Sequence, residues 1–446
     1  MKTTKLFFMA ALALMTAACS NDDNDLTQQP AKAEGIPFTA TISIDNSAAT
    51  RAITENGTTL ETSWAVGEKV ALIHNGVKDE MTVSAVNAGV ATITGTITGS
   101  PSGGDAVTII YPSDAADGTT GNVKSDWLSS QVGTLKGTSG TSIEEKYDVR
   151  KGSGVLNASG TSLDGTVSLI NQNAIFKLTL KDIDGSADVS ATSVVISDQT
   201  GVVTTVTPAS GYEKVMYVAL PTTATTLKFL VTGSDSKMYF NMASSLTLSA
   251  SYYQSTIKLA TVGHFIASNG KCYKDNSAIP SGESAVAKIA YLGGETGESA
   301  YNYTNGLALA LSDACIGDCD FLQWSTLTSD AGHSKQTDCS NFTSESGLQY
   351  NATHNTDDYP AFKAAIANNS TAAPTGCSAW FLASGYQWKK MDGAAGGSDK
   401  LGLGWLTYWS SSEYGVRHAW AIQAGHGRWG YDRTDRNFFV RACLAF

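Results

Sequence analysis

A mostly β protein of several domains, with its helices confined to the C-terminal part, is what this sequence predicts, on three observations. Charged residues make up only 16% of the 446-residue chain while glycine alone contributes 43, a balance that disfavours long solvated helices. Short apolar stretches separated by Gly, Ser, Asn and Asp recur from about residue 36 to residue 260, the spacing of strands in β-sandwiches. The length exceeds one typical domain, so two or three are expected. The formal net charge of -11 argues against nucleic acid as a partner, since phosphate binding needs a broad basic surface.

The chain opens on Met1-Lys2-Thr3-Thr4-Lys5, a basic start, and an apolar run from Leu6 to Ala18 that is too short to span a membrane. Residues 1–18 therefore read as a signal peptide. The stretch Leu14-Met15-Thr16-Ala17-Ala18-Cys19 resembles a loose bacterial lipobox, and the following Ser20-Asn21-Asp22-Asp23-Asn24-Asp25 is similar to the acidic signal that sends lipoproteins to the outer face of the outer membrane. That resemblance implies a lipidated Cys19 and a surface-exposed, lipid-anchored protein. Residues 19–34 lack apolar periodicity and read as a flexible tether.

Ile36 to Ile44 then alternates apolar with polar as a half-buried strand does. A small-residue segment with one arginine, Arg51, follows it. Trp64-Ala65-Val66-Gly67-Glu68-Lys69-Val70-Ala71-Leu72-Ile73 is a turn entering a strand, and Ala174 to Leu180 is a further strand. Thr50-Arg51 before Trp64-x-x-Gly67-Glu68-Lys69, Gly133-Thr134-Leu135 before Lys146-Tyr147-Asp148, and Tyr217-Val218-Ala219-Leu220-Pro221 resemble the ordered landmarks of fimbrillin-like pilins. The resemblance covers roughly Glu34 to Ala260 and implies two transthyretin-like β-sandwiches, residues 35–165 and 166–262. It further implies cleavage after Arg51, loss of the first strand, and filling of the groove by a strand of another pilin subunit.

Val262-Gly263-His264-Phe265 reads as a linker into a third domain, residues 263–446. Gly270 to Lys274, Ala285 to Tyr291 and the alternating Leu307, Leu309 and Leu311 read as strands. A helix is expected from Asp357-Asp358-Tyr359-Pro360, with Phe362 and Ile366 on one face, and another from Ser384, with Gln387 completing a capping box and Tyr386, Trp388 and Met391 presented.

Tyr408 to Tyr414 and Phe439 to Phe446 read as buried strands that bracket a stretch of another character. From Gly415 onward there are Arg417, Arg428, Arg433, Arg436 and Arg441 against Asp432 and Asp435, with no Lys or Glu. Arg, Trp, Tyr and His offer large contact area at low entropic cost, which is why they dominate binding surfaces; a merely basic solvated loop is the plainer alternative. The frame Tyr408-Trp409-Ser410-Ser411-Ser412-Glu413-Tyr414, Ala419-Trp420 and Val440-Arg441-Ala442 resembles the variable region of C-type-lectin-like proteins targeted by diversity-generating retroelements. The resemblance implies an α+β lectin-like domain whose interspersed positions are rewritten to change ligand specificity. Here those would be Gly415, Arg417, His418, Ala421, Gln423, His426, Arg428, Gly430, Tyr431, Arg433, Asp435 and Arg436, with Trp429 added as a contact residue on composition. Trp409 and Trp420 belong to the frame and are expected in the core.

Beyond Cys19 there are Cys272, Cys315, Cys319, Cys339, Cys377 and Cys443, an even number in an exported chain, which favours disulfides of undetermined pairing over metal or catalysis. No phosphate loop, nucleophile elbow, zinc or calcium motif is present, so neither cofactor nor metal is expected. The leading expectation is a non-enzymatic cell-surface adhesin, a fimbrial tip pilin binding a protein or glycan on a host, bacterial or phage surface. A non-polymerising surface receptor is the first alternative. The second is an oxidative enzyme resembling the formylglycine-generating type, which shares the lectin-like fold and carries a cysteine near an arginine as Arg441-Ala442-Cys443 does.

Overall fold

The computed structural model describes residues 35–44, 53–137, 141–317, 321–327, 329–424 and 428–446. The expected signal peptide and tether, Cys19, Arg51, Cys319 and His426 lie outside the described residues. Among the described residues strand accounts for 43% against 12% helix, which settles the mostly β class. Among the described residues no helix is long and apolar enough to cross a membrane.

The first unit is built from β1 (Ile36–Ile44), β2 (Lys69–His74), β3 (Val77–Asn87), β4 (Val90–Ile97), β5 (Ala106–Tyr111), β6 (Arg150–Val155) and β7 (Val167–Asn171). Alternation in β1 puts Phe38, Ala40, Ile42 and Ile44 into the core, as its period of two requires. The sheet runs β1-β7-β6-β5-β2-β3-β4 and returns to β1, so it is a closed barrel and not the open sandwich expected. Closure comes from β1, which pairs antiparallel with β4 over Ile36 to Ser43 and parallel with β7 over Ile42 to Ile44, leaving no free edge. The expected boundary at 165 falls before β7, which belongs to this barrel.

The second unit contains β8 (Asn173–Asp182), β9 (Ala191–Asp198), β10 (Gly201–Val206), β11 (Val215–Pro221), β12 (Leu227–Gly233), β13 (Met238–Ala243) and β14 (Tyr252–Leu259). One sheet is β11-β8-β14; the other is β13-β12-β9-β10, extended by Ser130–Gln131. Leu178, Val194, Val218 and Val231 share the core between them. The hairpin Thr54–Asn56 and Thr59–Glu61 docks on the first sheet through Glu55, whose carboxylate accepts from Lys177 Nζ at 2.8 Å, Tyr217 OH at 2.7 Å and Tyr252 OH at 2.9 Å. These donors hold the Glu55 carboxyl below its ordinary range, the Lys177 bond first.

The third unit opens with β15 (Phe265–Ala267), β16 (Cys272–Tyr273), β17 (Ala285–Leu292) and β18 (Gly306–Ala310). After three helices and β19 (Phe381–Leu382) it closes with the hairpins β20 (Thr407–Gly415), β21 (His418–Gln423) and β22 (Arg428–Arg433), and then β23 (Ala442–Ala445). Its main sheet is β16-β15-β17-β18-β23-β19, so β23 is paired on both sides. Ala308 and Ala310 face one core and Leu307 and Leu309 another, while Leu311 lies past the strand and is exposed. The alternation of leucines therefore marks two buried faces, not one wet and one dry.

Helix α1 (Gly347–Thr353) was not expected, although Ser346 caps it by accepting from Gln349 N, a Ser-x-x-Gln signal plainly in the sequence. Helix α2 (Pro360–Ala367) starts at the expected proline, but its N-cap residue is Tyr359 and neither Asp357 nor Asp358 caps it. Helix α3 (Gly385–Ala395) carries the full capping box of Ser384 and Gln387, with Trp388 and Met391 buried. A continuous core runs from the second unit into the third, including Leu230, Phe240 and Met242 together with Ile266, Trp324, Phe362 and Phe446. Phe240 and Phe446, both fully buried, stand 4.4 Å apart between ring centroids.

Candidate ligand-binding site

The residues between Gly415 and Arg436 are not the irregular loop their composition suggests; they carry two strands, and β20-β21-β22 form an antiparallel sheet. The absence of alternation has a physical cause, since Ala419, Trp420, Ala421 and Ile422 in β21 are all buried and both faces are covered. Every polar side chain of the Ser410 to Glu413 frame is buried, and three make side-chain bonds to neighbouring segments. Ser410 Oγ donates to Trp420 O at 3.0 Å, Ser412 Oγ donates to Glu345 Oε2 at 2.5 Å, and Glu413 pairs with Lys335 Nζ at 2.8 Å. Burial raises the Glu413 carboxyl above its usual range against the pull of Lys335. Trp409 is fully buried, with its indole N–H donating to Leu322 O at 2.9 Å, and Trp420 is 5% exposed against Phe342 and Tyr414. Arg441 is a core residue too, bonded to Asp313 Oδ1 at 2.6 and 2.7 Å and to Ala310 O at 2.9 Å.

A loop from Ala331 to Gln336 props this sheet from behind. Gln336 N donates to Glu413 O at 2.9 Å, Gln336 O accepts from the Trp420 indole, and His333 Nδ1 meets Ser411 O at 3.0 Å. His333 stacks on Tyr350 at 3.7 Å with the rings 9° from parallel and touches His354 through Nε2 at 3.1 Å. Burial, then the neighbouring His354, hold the His333 imidazole down at about 3, so it is neutral at physiological pH.

Across the sheet, register pairs Thr407 with Gln423, Ala421 with Gly430 and Ala419 with Asp432. Period two puts Thr407, Ala421, Gln423, Gly430 and Asp432 on one side, where with Trp429 and Phe438 they line a shallow pocket of about 330 Å³. Four of the expected residues, Ala421, Gln423, Trp429 and Gly430, thus converge. Trp429 is half-buried and packs edge-on against Phe342 at 4.9 Å. Gly415, Arg417 and His418 lie at the β20-β21 turn, one residue beyond the Asp432 edge of the pocket and outside its lining. There Arg417 holds a left-handed backbone with φ 64 and its carbonyl accepts from Thr434 N. Arg428, Tyr431 and Arg433 occupy β22, and Asp435 and Arg436 are exposed just beyond it. Thr407, Asp432 and Phe438 complete the pocket from outside the expected set; the sequence marks β20 only as scaffold, and the pairing that brings Thr407 opposite Gln423 is set by the sheet.

No family model matches the chain, and no curated protein matches it. Among solved structures it is similar to a fimbrial protein from Bacteroides ovatus ATCC 8483, at 13% identity over 93% of this chain and 100% of that one, with a TM-score of 0.33. It is also similar to a fimbrial assembly protein from Parabacteroides distasonis ATCC 8503, at 12% identity over 50% of this chain and 90% of that one, with a TM-score of 0.28. At these scores the likeness carries no functional argument.

The cysteines differ from expectation. Cys272, Cys315, Cys339, Cys377 and Cys443 are all free thiols, so no disulfide is formed among the described residues. In the sheet Cys443 lies opposite Leu309 and Phe381 and Cys272 opposite Ile266, Cys272 also has Cys377 nearby, and Cys315 Sγ donates to Asn369 Oδ1 at 3.4 Å. Among the described residues no group of three His, Cys, Asp or Glu side chains is placed to hold a metal.

Gly430 offers a direct test of the pocket. An added Cβ there meets no atom within 4 Å and its φ lies outside the left-handed region, as is also true of Gly415. Gly430→Leu is expected to fill the pocket while moving stability by no more than about 0.5 kcal/mol, to be checked by urea denaturation.

Proposed function

We propose that this chain is a cell-surface adhesin subunit, lipidated at Cys19, that accepts a strand from another pilin subunit and presents β20-β21-β22 to a protein or glycan ligand. The observation that carries the reading is how β1 is held. It alone closes the barrel, while the segment after Arg51 is fastened elsewhere: Ile53 is buried and its N–H donates to Glu144 Oε1 at 3.0 Å, and Glu55 is bonded to the second unit. Cleavage after Arg51 would therefore free β1 while leaving its successor in place, and the gap between β4 and β7 would expose unpaired backbone that favours a donated strand. The strand β23, paired on both sides, is unsuited to donation, which fits a subunit that receives and does not give, at a filament tip.

The ligand face supports the same reading, because its frame bonds inward and its outward positions, Gly415 and Gly430 among them, tolerate change. An oxidative role for Cys443 is disfavoured, since the thiol is fully buried and burial pushes its pKa well up, suppressing the thiolate. Two measurements test the proposal. Protein recovered from filaments of the native cell should begin at Ala52, and Arg51→Ala should keep the precursor out of filaments. Filament-associated protein that begins only at Cys19 would sink strand acceptance and leave a non-polymerising surface receptor.

A further inference from the structure

A second cavity, of about 400 Å³, lies in the third unit away from the β20-β21-β22 face, walled by Tyr301, Tyr303, Leu348, Asn355, Ile366 and Trp380 among others. We propose that it is a binding site for a neutral hexopyranose residue of a glycan. Its lining contains no charged side chain, so it offers no direct ion-pair partner to a charged ligand. Tyr301, on a short 3-10 turn at the rim, leaves 45% of its surface exposed, an aromatic face of the kind that packs against the C–H side of a sugar ring.

The polar groups around the cavity divide into spent and unspent. Asn351 is committed to Gly347 O, Leu382 O and Leu382 N, the Trp380 indole donates to Thr371 O, and Ser378 Oγ donates to Ala379 O and accepts from Ala445 N. The Tyr303 hydroxyl and the Asn355 amide have no hydrogen-bond partner among the described residues. The Tyr303 ring is steadied from one side by Lys228, whose ammonium stands 5.1 Å from the ring centroid. One hydroxyl and one amide, both reachable from solvent, beside an aromatic face match the mixed donor and acceptor demand of sugar hydroxyls.

Ligand-observed saturation-transfer NMR on the full chain tests this with the methyl glycosides of glucose, galactose, mannose and fucose, and with N-acetylneuraminic acid as the charged comparator. Transfer to the ring protons of at least one neutral glycoside is expected. It should vanish in Tyr301→Ala, a rim change that leaves the core intact, and affinity should fall about fivefold to tenfold in Tyr303→Phe, the loss of one hydrogen bond. Gly430→Leu should leave it unchanged. Transfer to none of the neutral glycosides, transfer that persists in Tyr301→Ala and Tyr303→Phe, or preference for N-acetylneuraminic acid would each overturn the assignment.

Discussion

Truncating Phe240 to alanine is expected to destabilise the C-terminal unit by about 3–5 kcal/mol, although Phe240 belongs to the preceding sheet. The ring is fully buried, lies 4.4 Å from Phe446, and shares a core with Ile266, Trp324 and Phe362, so its removal leaves a cavity whose walls come from both units. Seven of the nine tryptophans, from Trp324 to Trp429, lie in the C-terminal unit, which makes fluorescence during urea unfolding a report on that unit. A tryptophan transition that does not move in Phe240→Ala would mean that the two cores are energetically separate. A common midpoint for tryptophan fluorescence and far-UV dichroism of the second unit is the companion expectation.

Acidification should loosen the same unit from the end that carries β20-β21-β22. His333 titrates at about 3 in the folded protein against 6.5 ordinarily, so below pH 6.5 the unfolded chain takes up a proton that the folded one refuses. Stability from this group is complete above pH 6.5 and is lost at about 1.4 kcal/mol per pH unit below it, or about 2 kcal/mol by pH 5. The groups facing it are His354, Tyr350, Lys335 and Asp330, with Glu413 and Tyr359 close by. Burial raises the Glu298 and Glu413 carboxyls, which gives an opposite slope near their own titration, so the whole-protein curve mixes signs. The difference between wild type and His333→Phe isolates the histidine: the variant is expected to be weaker at pH 7 and flatter between pH 7 and pH 5. Parallel curves would refute the assignment.

The strands that one wet and one dry face define were readable in advance. Strict alternation bounds β1 to the residue, and the start of α3 is fixed by Ser384 and Gln387, a local box that needs no tertiary partner. What escaped was set by long-range pairing. Barrel closure depends on β1 meeting β4 and β7 at once, and β21 carries no alternation because neighbours cover both its faces. The candidate site was legible as a stretch and not as a shape. Composition singled out Gly415 to Arg436, yet the pocket needs Thr407 and Phe438 from outside it, and only the register assembles them. Cysteine number suggests bridges, but spacing along the chain does not say which cysteines meet, and the five described ones are free thiols.

The core that joins Phe240 to Phe446 also bears on how a binding face at β20-β21-β22 would meet a crowded surface. Where two bodies share a packed interior, one does not swivel on the other, so the face is presented at a fixed angle and pays no orientational entropy at that joint on capture. The cost is reach. A face that cannot search must be brought to its target by motion elsewhere along its attachment, and simultaneous engagement by several copies depends on the spacing and compliance of whatever carries them.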